Sequence, residues 1–245
     1  RDSYQPYLQE GKKRYIGRKF EPDGDGVMRD KGIDAKGVET ERRDTLPYLK
    51  EIMCAVRDAI MLPPFDETEA LRRFDAMMDL LVDDKVPMEK LTLKKNLSSK
   101  VEGKTDTIVQ ARVNAKRRAR EAGSEASVNE QVEYVILNGH KKSNTTLLAE
   151  DPVYAREEGL KLNRLWYFEH CIRDAMKKVF DATSVASRYA ERCGYYSRRL
   201  DAERLNVNRA SLMSVLSSSS SSSRTTAVTI PTPPRPPPPT KKRRK

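Results

Sequence analysis

The sequence has few of the residues that usually build a self-contained active site. Three cysteines, Cys54, Cys171 and Cys193, are widely spaced and odd in number. They make neither a disulfide framework nor a Cys-x-x-Cys metal knuckle, a pattern that fits a reducing compartment. Two histidines, His140 and His170, exclude a His-rich metal centre. No apolar run approaches the ~20 residues of a membrane-spanning helix, since stretches such as Ala59-Ile60-Met61-Leu62 end after four. This reads as a soluble chain with no membrane partner, and the charged amino terminus carries no signal-peptide apolar region. Also missing are a phosphate-cradling glycine loop, a Gly-x-Ser-x-Gly elbow, a His-Glu-x-x-His helix and any carboxylate pair marked out for metal or acid-base work. The residues by themselves describe a binding module.

Charge, by contrast, is abundant. The 245 residues hold 47 Lys and Arg against 36 Asp and Glu, a net +11, with 34% charged and 37% hydrophobic residues. One domain or two small ones is the expectation. The excess is uneven. Seven basic and no acidic residues follow Ser217, so residues 1–216, with 40 basic against 36 acidic side chains, carry only +4. Ser217 to Ser223 is a run of seven serines, Pro231 to Pro239 holds seven of fourteen prolines, and Lys241 to Lys245 is wholly basic. Such a segment lacks the apolar surface that offsets ordering entropy, so a disordered tail is expected over 206–245. The terminal basic run fits either a nuclear-import signal or an untargeted charged end. The chain starts at Arg1 without Met, which suggests a piece of something longer.

Periodicity predicts an α+β chain. Residues 1–43 read as strands and turns, with a hairpin across Pro22-Asp23-Gly24-Asp25-Gly26. That segment lacks the further ligands of a calcium loop and reads as a turn. Asp44 or Thr45 is placed to cap a helix with Pro47 in its first turn and Leu49, Ile52, Met53, Val56 and Ile60 on one face. Asp66 with Glu69 makes a capping-box start for a second helix, whose Leu71, Phe74, Met77, Met78 and Leu81 stripe is core. A strand is expected near Leu91 to Leu97, a helix over Thr107 to Ala122, a strand over Val132 to Leu137, a long helix from Asn163 to Phe180 and a polar helix from Ser184 to Leu205. Lys116-Arg117-Arg118-Ala119-Arg120 closes the third helix. It suits either a solvated face favoured by the helix dipole or a phosphate-contacting surface.

The strongest local signal is basic clusters interleaved with aromatics: Tyr4, Tyr7, Lys12, Lys13, Arg14, Tyr15, Arg18 and Lys19, then Lys36, Arg42 and Arg43. Such clusters favour sequence-independent binding to nucleic-acid phosphates. At these positions the chain resembles family B DNA polymerases. Tyr4-x-Pro6-Tyr7-Leu8 followed by Lys12-Lys13-Arg14-Tyr15-x-Gly17 is similar to that family's Lys-Lys-Arg-Tyr palm strand. Lys36-Gly37-Val38-Glu39-Thr40-Glu41-Arg42-Arg43-Asp44 resembles its palm-to-thumb signature. Leu91 to Ser98, Val132 to Ile136, Glu150 to Tyr154 and Trp166-Tyr167 follow in the order of delta-type members, so the resemblance spans about Tyr4 to Phe180.

That resemblance implies the end of a palm sheet over residues 1–43, a mainly helical thumb with a few strands over 44–205, and a tail over 206–245. It implies primer-template DNA contacts at Lys12, Lys13, Arg14 and Tyr15, and phosphate or acidic partners at the Lys36, Gly37, Arg42 and Arg43 junction. For Arg42 and Arg43 the alternative is pairing with palm carboxylates, and for Tyr15 simple packing. The complete enzyme would take deoxynucleoside triphosphates and Mg2+, with its catalytic aspartates upstream of this sequence; no catalytic residue is expected within it. A processivity factor is a candidate partner and the nucleus, a host nucleus if the source is viral, the implied location. Delta-type enzymes carry two cysteine clusters after the thumb, where this chain has Cys193 alone, so no zinc or iron-sulfur site is expected. This departure fits the polymerase of a large DNA virus, or a divergent or truncated protist sequence. The rival reading is a non-catalytic nucleic-acid-binding or assembly protein that kept a thumb-like module.

Overall fold

The computed structural model describes residues 2–38, 40, 44–140 and 143–221; side chains are described for these except Glu10 and residues 211–221. Arg42, Arg43 and the terminal Lys241 to Lys245, named above as binding or import candidates, lie outside the described residues. A first compact unit runs through Arg209 and a second begins at Ala210.

Three antiparallel strands open the first unit: β1 (Ser3–Gly11), β2 (Arg14–Pro22) and β3 (Met28–Lys36), in that spatial order. The expected hairpin joins β2 to β3. Asp23 builds its turn, Oδ1 accepting from the amides of Asp25 (3.0 Å) and Val27 (2.9 Å) and Oδ2 from Arg29 Nε (2.7 Å). The side chain that suggested a calcium ligand is thus occupied in bracing its own loop, as aspartate commonly does in turns. Leu8 and Ile16 face each other across β1 and β2, and both are buried in the main apolar cluster, so one face of this sheet is anchored to the helices.

Helix α1 (Pro47–Met61) buries Leu49, Ile52, Met53, Val56 and Ile60, the expected stripe. Its cap differs from expectation. Leu46 holds that place and makes no side-chain cap bond, Asp44 and Thr45 lying just before it. Pro47 explains the difference, because it removes one of the amides a cap would satisfy and presets the helical φ. Helix α2 (Glu67–Val82) is capped as predicted by Asp66, which accepts from the amides of Thr68 and Glu69. Glu69 does not reach back to complete a capping box; its carboxylate pairs with Arg72 (2.6 Å) and Arg73 (2.9 Å). Leu71, Phe74, Met78 and Leu81 are buried, and Met77 is partly so.

After a 3-10 turn at Met88–Leu91, β4 (Leu93–Asn96), β5 (Gln131–Ile136) and β6 (Ala149–Glu150) form a second antiparallel sheet around α3 (Val109–Arg120) and α4 (Thr145–Leu148). Asp151 caps α5 (Pro152–Glu157). Asn163 caps the next helix as expected, but the segment to Phe180 is not one regular helix: α6 (Arg164–Tyr167) and α7 (Arg173–Phe180) flank a π-helical turn at Phe168–Ile172. Phe74, Phe180 and Tyr189 meet in the core, with Phe180 stacked on Tyr189 at 4.6 Å between ring centres.

Helix α8 (Ala186–Ser221) begins near the expected Ser184 but continues past Leu205 and into the serine run, which corrects the expected start of the irregular tail. Between Tyr195 and Ser221 the sequence has neither glycine nor proline to stop a helix, and extending one is far easier than nucleating it. Contacts to the segment after β5 also hold it in place, Arg204 donating to the Gly139 carbonyl (2.9 Å) and Asn138 donating to Asn208 Oδ1 (3.1 Å).

Candidate nucleic-acid interface

Gly11 pairs with Arg14, so Lys12 and Lys13 form the two-residue turn between β1 and β2, and both are exposed. Lys13 has φ +62°, the left-handed value that turns usually give to glycine or asparagine. On the other side, β3 ends at Lys36, whose register partner is Tyr15. Gly37 then turns back onto the lysine loop with φ +66°; a Cβ there would sit 2.6 Å from the Lys13 carbonyl oxygen and 3.4 Å from Arg14 Cγ. Only a glycine lets the backbone lie against the loop. Six of the eight expected site residues, Lys12, Lys13, Arg14, Tyr15, Lys36 and Gly37, therefore share one end of the sheet.

Their electrostatics distinguish them from most other cations among the described residues. Arg18 pairs with Asp30 (2.5 Å), Lys19 with Asp2 (3.0 Å) and Glu21, and Arg29 with Asp23 (2.7 Å). Among the described residues Lys12, Lys13, Arg14 and Lys36 have no carboxylate partner. Four cations without a carboxylate partner among the described residues raise the local positive potential at one edge, and each can displace a counterion from a phosphate.

Beside them, on the sheet face opposite Leu8 and Ile16, three tyrosines surround Gly17. Tyr4 and Tyr7 lie 5.9 Å apart, Tyr4 and Tyr15 5.9 Å, and Tyr7 and Tyr15 5.7 Å. A Cβ on Gly17 would be 2.9 Å from the Tyr4 ring and 3.1 Å from the Tyr7 ring, so the glycine makes room for both. Asp34 accepts hydrogen bonds from the Tyr4 hydroxyl (2.7 Å) and the Tyr15 hydroxyl (3.2 Å). Its bond to Tyr4 pushes that phenol above the ordinary tyrosine value. Sequence reading singled out the tyrosines but missed Asp34. The signal was its pairing with Gly17 in the β2–β3 register, which places it beside Tyr15, two residues away on the same face.

The basic run of α3 is different. Lys116 donates to the Ala149 carbonyl (2.7 Å) and Glu150 (3.0 Å), Arg120 pairs with Glu150 (2.9 Å), Arg117 pairs with Asp151, and Arg118 pairs with Glu125 (3.0 Å). Arg120 also lies 3.4 Å over the Tyr154 ring. The Glu150 and Asp151 side chains are only 6% and 9% exposed. Lys116, Arg117 and Arg120 thus correct both readings offered for this run, since they fasten α3 to β6 and α5, whereas Arg118, 54% exposed, stays on a solvated face.

Among the described residues no three His, Cys, Asp or Glu side chains gather as metal ligands. Among the same residues no helix is long and apolar enough to cross a membrane.

Comparison with known proteins agrees with the resemblance seen in the motifs. The model for DNA polymerase family B matches residues 2–183. The catalytic subunit of DNA polymerase delta from Schizosaccharomyces pombe is 30% identical over 181 residues, which cover 73% of this chain and 16% of the relative. A DNA polymerase of Paramecium bursaria Chlorella virus NY2A is 32% identical over 181 residues, covering 73% of this chain and 19% of that protein. The fold is shared with the family B DNA polymerase of the archaeon Pyrobaculum calidifontis, with TM-score 0.51 and 21% identity over 73% of this chain and 22% of that one. The chain thus spans less than a quarter of the length of these proteins, and it belongs to DNA polymerase family B.

Proposed function

We propose that this chain is the part of a DNA-directed DNA polymerase that grips the primer-template duplex during replication. In this reading residues 1–43 are the last palm strands, 44–205 the thumb, and 206–245 an appended tail whose described part, to Ser221, is helical. The observation that carries it is the gathering of four cations, Lys12, Lys13, Arg14 and Lys36, at one sheet end where Gly37 packs on the lysine turn. Lys12 and Lys13 contact the backbone phosphates or minor groove of the duplex. Lys36 and Arg14 extend that contact, with Arg42 and Arg43 following in the junction. Tyr15, tied to Asp34, holds the strand in place.

Phosphate contacts of this kind position the duplex without reading its sequence, as replication of arbitrary DNA requires. Phosphoryl transfer, with its deoxynucleoside triphosphates and Mg2+, belongs in this proposal to chain outside this sequence. A processivity factor and a nuclear location complete the reading. The test is a titration of primer-template duplex with the chain and its Lys12→Ala/Lys13→Ala variant. Losing two phosphate contacts at ~0.1 M salt is expected to weaken binding about five- to tenfold per lysine. Unchanged affinity would remove the turn from the interface.

A further inference from the structure

The lysine turn accounts for phosphates but leaves Tyr7 unexplained. The residue is 49% exposed, more than any other Phe, Tyr or Trp of the described residues. Exposure does not here mean looseness. The ring rests over Gly17 and against Tyr4 and Tyr15, whose hydroxyls are both fixed by Asp34. The Tyr7 hydroxyl makes no hydrogen bond among the described residues. A packed ring therefore presents bare surface on the strand that leads into the lysine turn.

Asp34 also decides what kind of group this face accepts. Its carboxylate, held by the Tyr4 and Tyr15 hydroxyls, repels a phosphate, while Lys12, Lys13 and Lys36 at the sheet end attract one. A nucleotide meeting this surface is sorted accordingly, phosphate to the lysines and neutral base to the aromatic face. Stacking on aromatic rings is tolerant of base identity because every base has a π-face. Bases inside a duplex have both faces covered, so only an unpaired one can use the ring.

We propose that Tyr7 is a stacking site for an unpaired nucleobase, one that frays from the end of the duplex held by the lysine turn. The proposal rests on the placement of DNA at that turn. Tyr7 adds preference for an unpaired end without adding affinity for paired DNA.

The test uses the full 245-residue chain and two hairpin DNAs, one fully paired at its end and one ending in a single unpaired 2-aminopurine. The chain and Tyr7→Phe are expected to quench the 2-aminopurine, whereas Tyr7→Leu leaves it bright and binds that DNA about tenfold more weakly. All three bind the paired hairpin equally. Equal weakening of both DNAs by Tyr7→Leu, or unaltered quenching, would overturn the proposal. Lys12→Ala/Lys13→Ala is expected to weaken both hairpins. Loss with that variant but not with Tyr7→Leu overturns the base site alone, and the reverse pattern overturns the lysine contact. A second measurement needs no variant: 5-iodouracil at the unpaired position, irradiated with the unaltered chain, is expected to cross-link to Tyr7. A cross-link mapping elsewhere would contradict the site.

Discussion

Replacing Arg117 by Met separates a structural cation from a binding one. The Arg117 side chain is 20% exposed and its partner Asp151 9%, so the change strands a buried carboxylate. Removing one member of such a pair costs about 3–5 kcal/mol. Asp151 keeps its hydrogen bonds from the amides of Val153 and Tyr154 at the start of α5, which favours the lower end, about 3 kcal/mol. For a unit of this size each kcal/mol lowers Tm by roughly 2–4 °C, giving a shift of about 6–12 °C in a thermal melt. Adding Asp151→Asn preserves the cap while removing the stranded charge, so the double variant is expected to recover most of the loss. Binding to duplex DNA, measured as affinity against salt, keeps its slope in both variants. A Tm within 2 °C of the parent's, together with a shallower slope, would refute the reasoning and return α3 to the DNA surface.

Further changes probe the sheet end and the acid limb of stability. Lys13→Gly relieves a left-handed backbone and is expected to stabilise the fold by about 1 kcal/mol in urea melts while still weakening DNA binding, a combination that unfolding cannot produce. Gly37→Ala places a Cβ against the Lys13 carbonyl at a positive φ, and is expected to destabilise by roughly 1–3 kcal/mol. It also lowers DNA affinity although no charge is removed, as equilibrium titration would show. The Arg72 and Arg73 guanidiniums hold the Glu69 carboxyl down to about 2. The folded value lies below the unfolded one, so this contribution is present above about pH 4.3 and is lost as pH falls toward about 2. Acid titration of Glu69→Gln is therefore expected to show a shallower loss of stability between those limits.

Much of the fold was legible because local chemistry decided it. The stripes of α1 and α2, the Asp66 and Asn163 caps and the Asp23 turn depend on residues a few positions apart. Other features depend on partners that sequence does not place. The basic run of α3 reads as available charge until Glu150 and Asp151, more than thirty residues away, are brought against it by β5 and β6. Pro47 displaced a cap that composition favoured, and no glycine or proline announces the π-helical turn at Phe168–Ile172. The site was half legible. The resemblance named the residues of the lysine turn and the junction, while the seating of Gly37 on Lys13 and the hold of Asp34 on two tyrosines required the register of three strands.

The central claim is that the cations gathered at the sheet end hold duplex DNA. Its most direct test is the slope of log affinity against log salt for the chain and for Lys12→Ala/Lys13→Ala/Lys36→Ala on one primer-template. Each phosphate contact contributes about 0.9 to that slope, so the triple variant is expected to lose about 2.7 in magnitude. A slope equal to that of the parent chain would contradict the claim.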